Sequence, residues 1–193
     1  MNLTQYDHYL VLDLEATCCD QETIKRHQME IIEIGAVMVA VQSLNVIGEF
    51  QTFIKPVRYP VLTQFCKSLT SITQEQVDQA PGYVEAIALL KQWLSNYPNG
   101  VFGSWGDYDR NQFKQDSKFH NVPFPLAYPH INLKHLFSST QGLPKRYGMA
   151  EALQLAGIAL EGTHHRGIDD ARNIAKLLPF ILGRQQLQQP STA

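Results

Sequence analysis

The chain has 193 residues, 44% hydrophobic and 18% charged, a balance that allows one domain with a sizeable buried core and excludes a low-complexity polymer. No apolar run approaches the roughly 20 residues of a membrane span, and Met1–His8 is polar, so neither a membrane anchor nor a secretory signal is expected. A net charge of −2 excludes wrapping a long duplex by charge alone, but not gripping a strand end through bound metal ions.

Tyr9–Leu12 is a short apolar run, the mark of a strand covered on both faces. Cys18 and Cys19 are adjacent and Cys66 stands apart, spacings that suit neither a disulfide framework nor a zinc knuckle; a reducing, cytoplasmic setting is expected. Ile31–Val41 and Val46–Ile54 are rich in Val and Ile, with Gln42–Asn45 between them, and predict an antiparallel meander ended by Pro56 and Pro60. Ser71–Val77 and Tyr83–Tyr97 read as helices, the second with Val84, Ile87, Leu90 and Leu94 on one face. Val101–Ser104 is a fourth strand, Asp107–Phe119 a helix, and Pro123–Pro129 a proline-rich loop. A fifth strand is expected near Pro129–Leu133, and helices over Ile131–Phe137, Met149–Ala156 and Ile168–Leu182. Residues 1–184 form the expected domain; Gln185–Ala193 is polar and is expected to be a disordered tail. This order implies an α/β domain with one mixed sheet of five strands flanked by helices.

Three stretches carry chemistry. Asp13 and Glu15 follow the apolar run, and a period of two points both side chains the same way. Two carboxylates at the end of a buried strand repel each other and are costly to desolvate, a conflict that a divalent cation resolves. In Gly103-Ser-Trp-Gly-Asp107-Tyr-Asp109 two acids compete. Asp107 is placed to cap the helix, whereas Asp109, four residues before Phe113, shares that helix's inward face and is assigned to the site. In His164-His165-Arg-Gly-Ile-Asp169-Asp170, Asp170 is four residues before Ile174 on the buried face, and His165 sits in the loop ahead of it. Asp169 aligns with Asn173 and Lys176 on the wet side and favours the helix dipole.

Four such acids suit two divalent cations clamping the attacking and leaving oxygens of a phosphodiester. Carboxylates favour Mg²⁺ or Mn²⁺, and a histidine is suited to take a proton from the attacking water. Trp105 and Tyr108 flank the second stretch as candidates for stacking on a base.

The motifs Asp13-Leu-Glu15-Ala-Thr17-Cys18, Ser104-Trp-Gly-Asp-Tyr-Asp109 and His165-Arg-Gly-Ile-Asp-Asp170 resemble those of the DEDDh exonucleases, which include RNase T and polymerase proofreading subunits. Glu30-Ile-Ile-Glu33-Ile-Gly35, Leu69–Val77 and Ile131-Asn-Leu-Lys134 resemble the Eri-type branch related to the 3′ histone-mRNA exonuclease and KapD-like bacterial proteins. The resemblance implies an RNase H-like fold and release of nucleoside 5′-monophosphates from the 3′ end of single-stranded nucleic acid, RNA before DNA, with no obligate protein partner. Asp13, Glu15, Asp109 and Asp170 would hold two cations and His165 would be the general base. Leu14, Ala16 and Thr17 would cradle the terminal nucleotide. Only Met1–His8 precede the resemblance, so the nucleic-acid-binding extension of some eukaryotic relatives is not expected.

Two rival readings are weaker. Asp13-Leu-Glu15-Ala-Thr17 partly matches the D-x-D-x-T loop of haloacid dehalogenase-type phosphatases, but Glu15 stands where that loop has Asp. A silent binding or regulatory module on the same fold would not need all five site residues.

Overall fold

A computed structural model describes residues 3–21 and 23–188; the rest, including 189–193 of the expected tail, lie outside the described residues. Strand β1, His8–Ala16, is longer than its apolar run, so Asp13 and Glu15 lie inside the strand rather than beyond it. Pairing explains the length. Antiparallel partners on β2, Ile31–Ala40, continue from His8↔Ala40 to Glu15↔Glu33 before the register shifts at Ala16.

The sheet is mixed and has the order β3-β2-β1-β4-β5, with β3 at Val46–Phe53, β4 at Gly100–Ser104 and β5 at His130–Asn132. The first two pairings are antiparallel, whereas β4 runs parallel to β1 and β5 to β4. This is the five-stranded sheet expected from the sequence.

β1 divides two cores by alternation. Leu10, Leu12 and Leu14 pack with Phe102 and with Tyr83, Ile87 and Leu90 of a helix at Tyr83–Leu94. Phe113, of the helix at Tyr108–Phe119, completes that core. Tyr9 and Val11 face the other side, where helices at Leu133–Thr140, Met149–Leu155, Gly167–Lys176 and Leu178–Ile181 contribute Phe137, Leu153, Ile174 and Ile181. A smaller cluster joins Ile32 of β2 to Cys66 and Val77, on two short helices at Gln64–Thr70 and Gln74–Asp78. In chain order these eight helices are α1 to α8, from Gln64–Thr70 through Leu178–Ile181.

Several boundaries differ from the sequence reading. The helix expected over Ser71–Val77 is shorter, α2 at Gln74–Asp78, because Thr73 starts it with a capping box to Gln76; Ser71, in the left-handed region at φ 60°, instead ends α1, a helix the sequence reading did not include. Val84 is 55% exposed; the inward face of α3 is Tyr83, Ala86, Ile87 and Leu90. The helix expected over Ile168–Leu182 divides into α7 and α8 around Leu177, with Pro179 in the first turn of the second piece. Gln185–Gln188 has no regular structure, yet Leu187 donates its N–H to Gln141 Oε1 at 2.9 Å and packs on the core. Among the described residues, no helix is long and apolar enough to cross a membrane.

Candidate active site

The parallel pairing of β1 with β4 stops at Val11↔Gly103, so Asp13 and Glu15 project past the last rung, where the chain leaves β4 for α4. This is the carboxyl edge of the parallel strands, the usual place for a site in an open α/β sheet. Both acids lie on the Tyr9–Val11 side, under α7. That helix lies almost in contact with the sheet because Gly35, opposite Asp13, has no side chain; a Cβ there would collide with the Gly167 carbonyl carbon and the Ile168 nitrogen.

Asp170, in the first turn of α7, completes the group: Asp13, Glu15 and Asp170 each offer an oxygen within 4.8 Å of the other two. Asp109 does not join that group. It approaches from the opposite layer on α4, is buried, and its Oδ1 accepts the N–H of Leu14 at 3.1 Å. All four acids line one cleft of about 320 Å³, together with Leu14, Ala16, Trp105, Tyr108, His164 and His165. His165 adopts the left-handed region, φ 65°, and its N–H donates to Asp170 Oδ2 at 3.1 Å, so backbone and helix share one turn.

The acids disturb one another strongly. Burial, then the charges of Asp109 and Glu15, lift the Asp13 carboxyl well above the usual carboxylate range. Burial, then Asp170 and Glu33, push Glu15 up to about 8. Burial raises Asp109 to about 6, against the pull of the Leu14 N–H and the Ser104 hydroxyl. Asp170 rises to about 6 by burial, although the His165 N–H opposes it. Asp170 Oδ1 is buried without a hydrogen-bond partner. Hard-oxygen donors crowded together, their ionisation opposed for want of counter-charge and with one oxygen unsatisfied, fit divalent cations. Burial, then His164, lowers the pKa of His165, which favours the neutral ring.

Other assignments are refined. Asp107 occupies the N-cap position of α4 but makes no side-chain cap; it accepts instead from Arg110 Nη2 at 2.9 Å and Asn132 Nδ2 at 2.8 Å. Asp169 is part-exposed, as expected, but is also held by the protein, since it accepts the Thr163 N–H at 2.9 Å and bonds Arg172. Its helical neighbour Asn173 is fully buried, clamped to the Glu161 backbone in both directions. Thr17 does not line the cleft: it is buried, and its Oγ1 accepts the Glu30 N–H at 2.9 Å. Trp105 leans on Phe137, ring centres 5.8 Å apart, and donates to the Tyr147 carbonyl. Tyr108 has the Arg26 guanidinium 5.6 Å from its ring centre.

Sequence reasoning missed the support beneath α7. Glu33 is fully buried and accepts from Arg166 Nε at 3.1 Å, the Gly167 N–H at 3.1 Å and Gln51 Nε2 at 2.6 Å. It satisfies a free N–H at the start of α7 that Arg166, the N-cap residue, leaves uncapped. The available signal was a charged residue inside a Val/Ile strand, which must be paired when buried. Met29, Leu69 and Met149 also line the cleft, and no sequence pattern set them apart from core.

A mixed sheet carrying a cluster of acids at its carboxyl edge, with helices on both faces, defines the class of RNase H-like nucleases that work with divalent cations. The chain belongs to the RNase T exonuclease family, whose model, described as exonuclease, matches residues 10–178. It is 31% identical over 185 residues to the probable 3′-5′ exonuclease KapD of Bacillus subtilis, covering 94% of this chain and 88% of that one. It is also 31% identical to mouse ERI1 exoribonuclease 3, covering 93% of this chain and 55% of the relative, so it spans about half that protein's length. The nuclease domain of 3′hExo, described as a DEDDh family member bound to rAMP, superposes with a TM-score of 0.86 at 25% identity, covering 96% of this chain and 98% of that domain.

Proposed function

We propose that this protein is a 3′–5′ exonuclease that hydrolyses the terminal phosphodiester of single-stranded nucleic acid, RNA in preference to DNA, and releases nucleoside 5′-monophosphates. The observation that carries the reading is the convergence of Asp13, Glu15 and Asp170 within 4.8 Å, with Asp109 and His165 on the same cleft. Asp13, Glu15, Asp109 and Asp170 would hold two Mg²⁺ or Mn²⁺ ions. When bound, these ions offset the charge that builds up on the phosphodiester as the attacking oxygen adds and the leaving oxygen departs. His165, neutral and held beside Asp170, takes the proton of the attacking water. Leu14 and Ala16 form the floor for the last nucleotide, and Trp105 and Tyr108 its walls; Thr17 acts indirectly, by tying the end of β1 to Glu30. The preference for RNA is supported by the exoribonuclease name of the mouse relative. Three free cysteines suit a reducing, cytoplasmic setting.

The test is a 3′-labelled oligonucleotide in matched RNA and DNA forms, incubated with Mg²⁺ or Mn²⁺. Label should leave as a mononucleotide, faster from RNA, and EDTA should stop its release. Internal cleavage, or release undiminished by EDTA, would refute the reading.

A further inference from the structure

His164 touches no reacting atom in the hydrolysis proposed above, yet it stands beside both the base and one of the acids. Its ring stacks on that of His165, centroids 4.0 Å apart and planes 17° from parallel. Its Nε2 lies 3.8 Å from Asp170 Oδ2. His164, His165 and Asp170 each offer a ligand atom within 4.8 Å of the other two.

The two donor sets that meet at Asp170 differ in chemistry. Asp13, Glu15 and Asp170 present oxygens only, which suits hard cations. His164, His165 and Asp170 bring together two imidazole nitrogens and one carboxylate oxygen, and once the exposed His164 ring turns out of its stack they make a three-ligand set with an open position of the kind that zinc takes. In the first-row order such a nitrogen-rich set holds Zn²⁺ more tightly than Mn²⁺. The set is reachable, since the His164 side chain is 42% exposed. Asp170 also brings its buried, unpartnered Oδ1.

We propose that His164, His165 and Asp170 form a zinc site that shares Asp170 with the carboxylate set and, when filled, blocks hydrolysis. Zinc held there draws away the base and one acid of the cleft together. The blocking half rests on the nuclease reading; the binding half does not.

Calorimetric titration of the metal-free protein with zinc chloride tests the binding. Wild type should bind zinc at a site that His164→Ala weakens at least about tenfold, while both proteins bind Mn²⁺ alike. Equal zinc affinity in the two proteins would place the ion among the carboxylates and overturn the site. Hydrolysis at saturating Mn²⁺ tests the block. Zinc should inhibit the wild type near its dissociation constant, and His164→Ala, read against its own zinc-free rate, should resist inhibition. Zinc that binds through His164 without slowing the wild type would overturn the blocking role. A wild type inactive in Mn²⁺ alone would count against the nuclease reading, with the zinc site still decided by calorimetry.

Discussion

At the scale of single residues, the assignments separate groups that look alike in the sequence. His165→Ala is expected to lower turnover by about 10²–10⁴ with Mn²⁺ affinity nearly unchanged; single-turnover hydrolysis and calorimetry on one preparation measure both. An unchanged rate would remove the histidine from the mechanism. Asp109→Asn should abolish hydrolysis, because it removes charge from the cleft and alters the acceptor of the Leu14 N–H. Asp107→Asn should leave the rate intact and shift the denaturation midpoint little. Its carboxylate is half-exposed and its pairing with Arg110 is a surface ion pair, worth about 0–1 kcal/mol. That Asp109 and not Asp107 turns into the cleft was legible because Phe113 fixed which face of α4 turns inward. Asn173 was misread as a solvated residue, since an amide that satisfies a neighbouring loop from inside leaves no trace in hydrophobic periodicity.

Elements explain why the acids meet. Gly35→Ala puts a methyl group into the backbone of α7, and overpacking of that kind costs typically about 1–3 kcal/mol. Because α7 would have to lift, hydrolysis should fall further than stability does; urea denaturation beside kinetics separates the two, and full activity would contradict the close approach. Glu33→Ala leaves the Arg166 guanidinium and the Gly167 N–H unmatched beneath the helix, a loss of about 3–5 kcal/mol by analogy with broken buried pairs. A denaturation midpoint close to the wild type would show that water replaces the carboxylate.

The sheet was readable from its Val/Ile runs and the turn at Gln42–Asn45, and so was the placing of acids at a strand end and two helix starts. The end of β1 was not, because polar residues at 13 and 15 looked like the close of a strand when pairing with β2 in fact carries through them. Helix α1 escaped notice because Gln64–Thr70 buries only Cys66 and Thr70, too few residues for an apolar stripe. Its sole local signal is Thr63, whose hydroxyl accepts the Cys66 N–H.

For the whole molecule, the raised carboxylates predict an unusual response to pH. Glu15 sits near 8 in the folded chain against 4.5 for the free group, and Asp109 and Asp170 near 6 against 3.8. These carboxyl groups therefore bind more protons in the native state than in the unfolded chain over this window, and outweigh the half-buried His130, whose pKa is lowered to about 4. Stability without metal should be greatest at the acid end and fall as pH rises from about 4 to 8. Divalent cations should reverse the fall, with their largest effect at the alkaline end. Urea midpoints in EDTA and in Mn²⁺ across that range check both statements; a metal-free protein that gains stability on going alkaline would contradict the protonated cluster.

β1 lies between two cores that share few side chains, and the four acids reach its end from both: Asp13, Glu15 and Asp170 on one flank, Asp109 on the other. An ion seated among them is then a rivet through the sheet. Amides in α4 and in α7, far apart along the chain, should become slower to exchange with solvent together when the rivet is in, and loosen together when it is withdrawn.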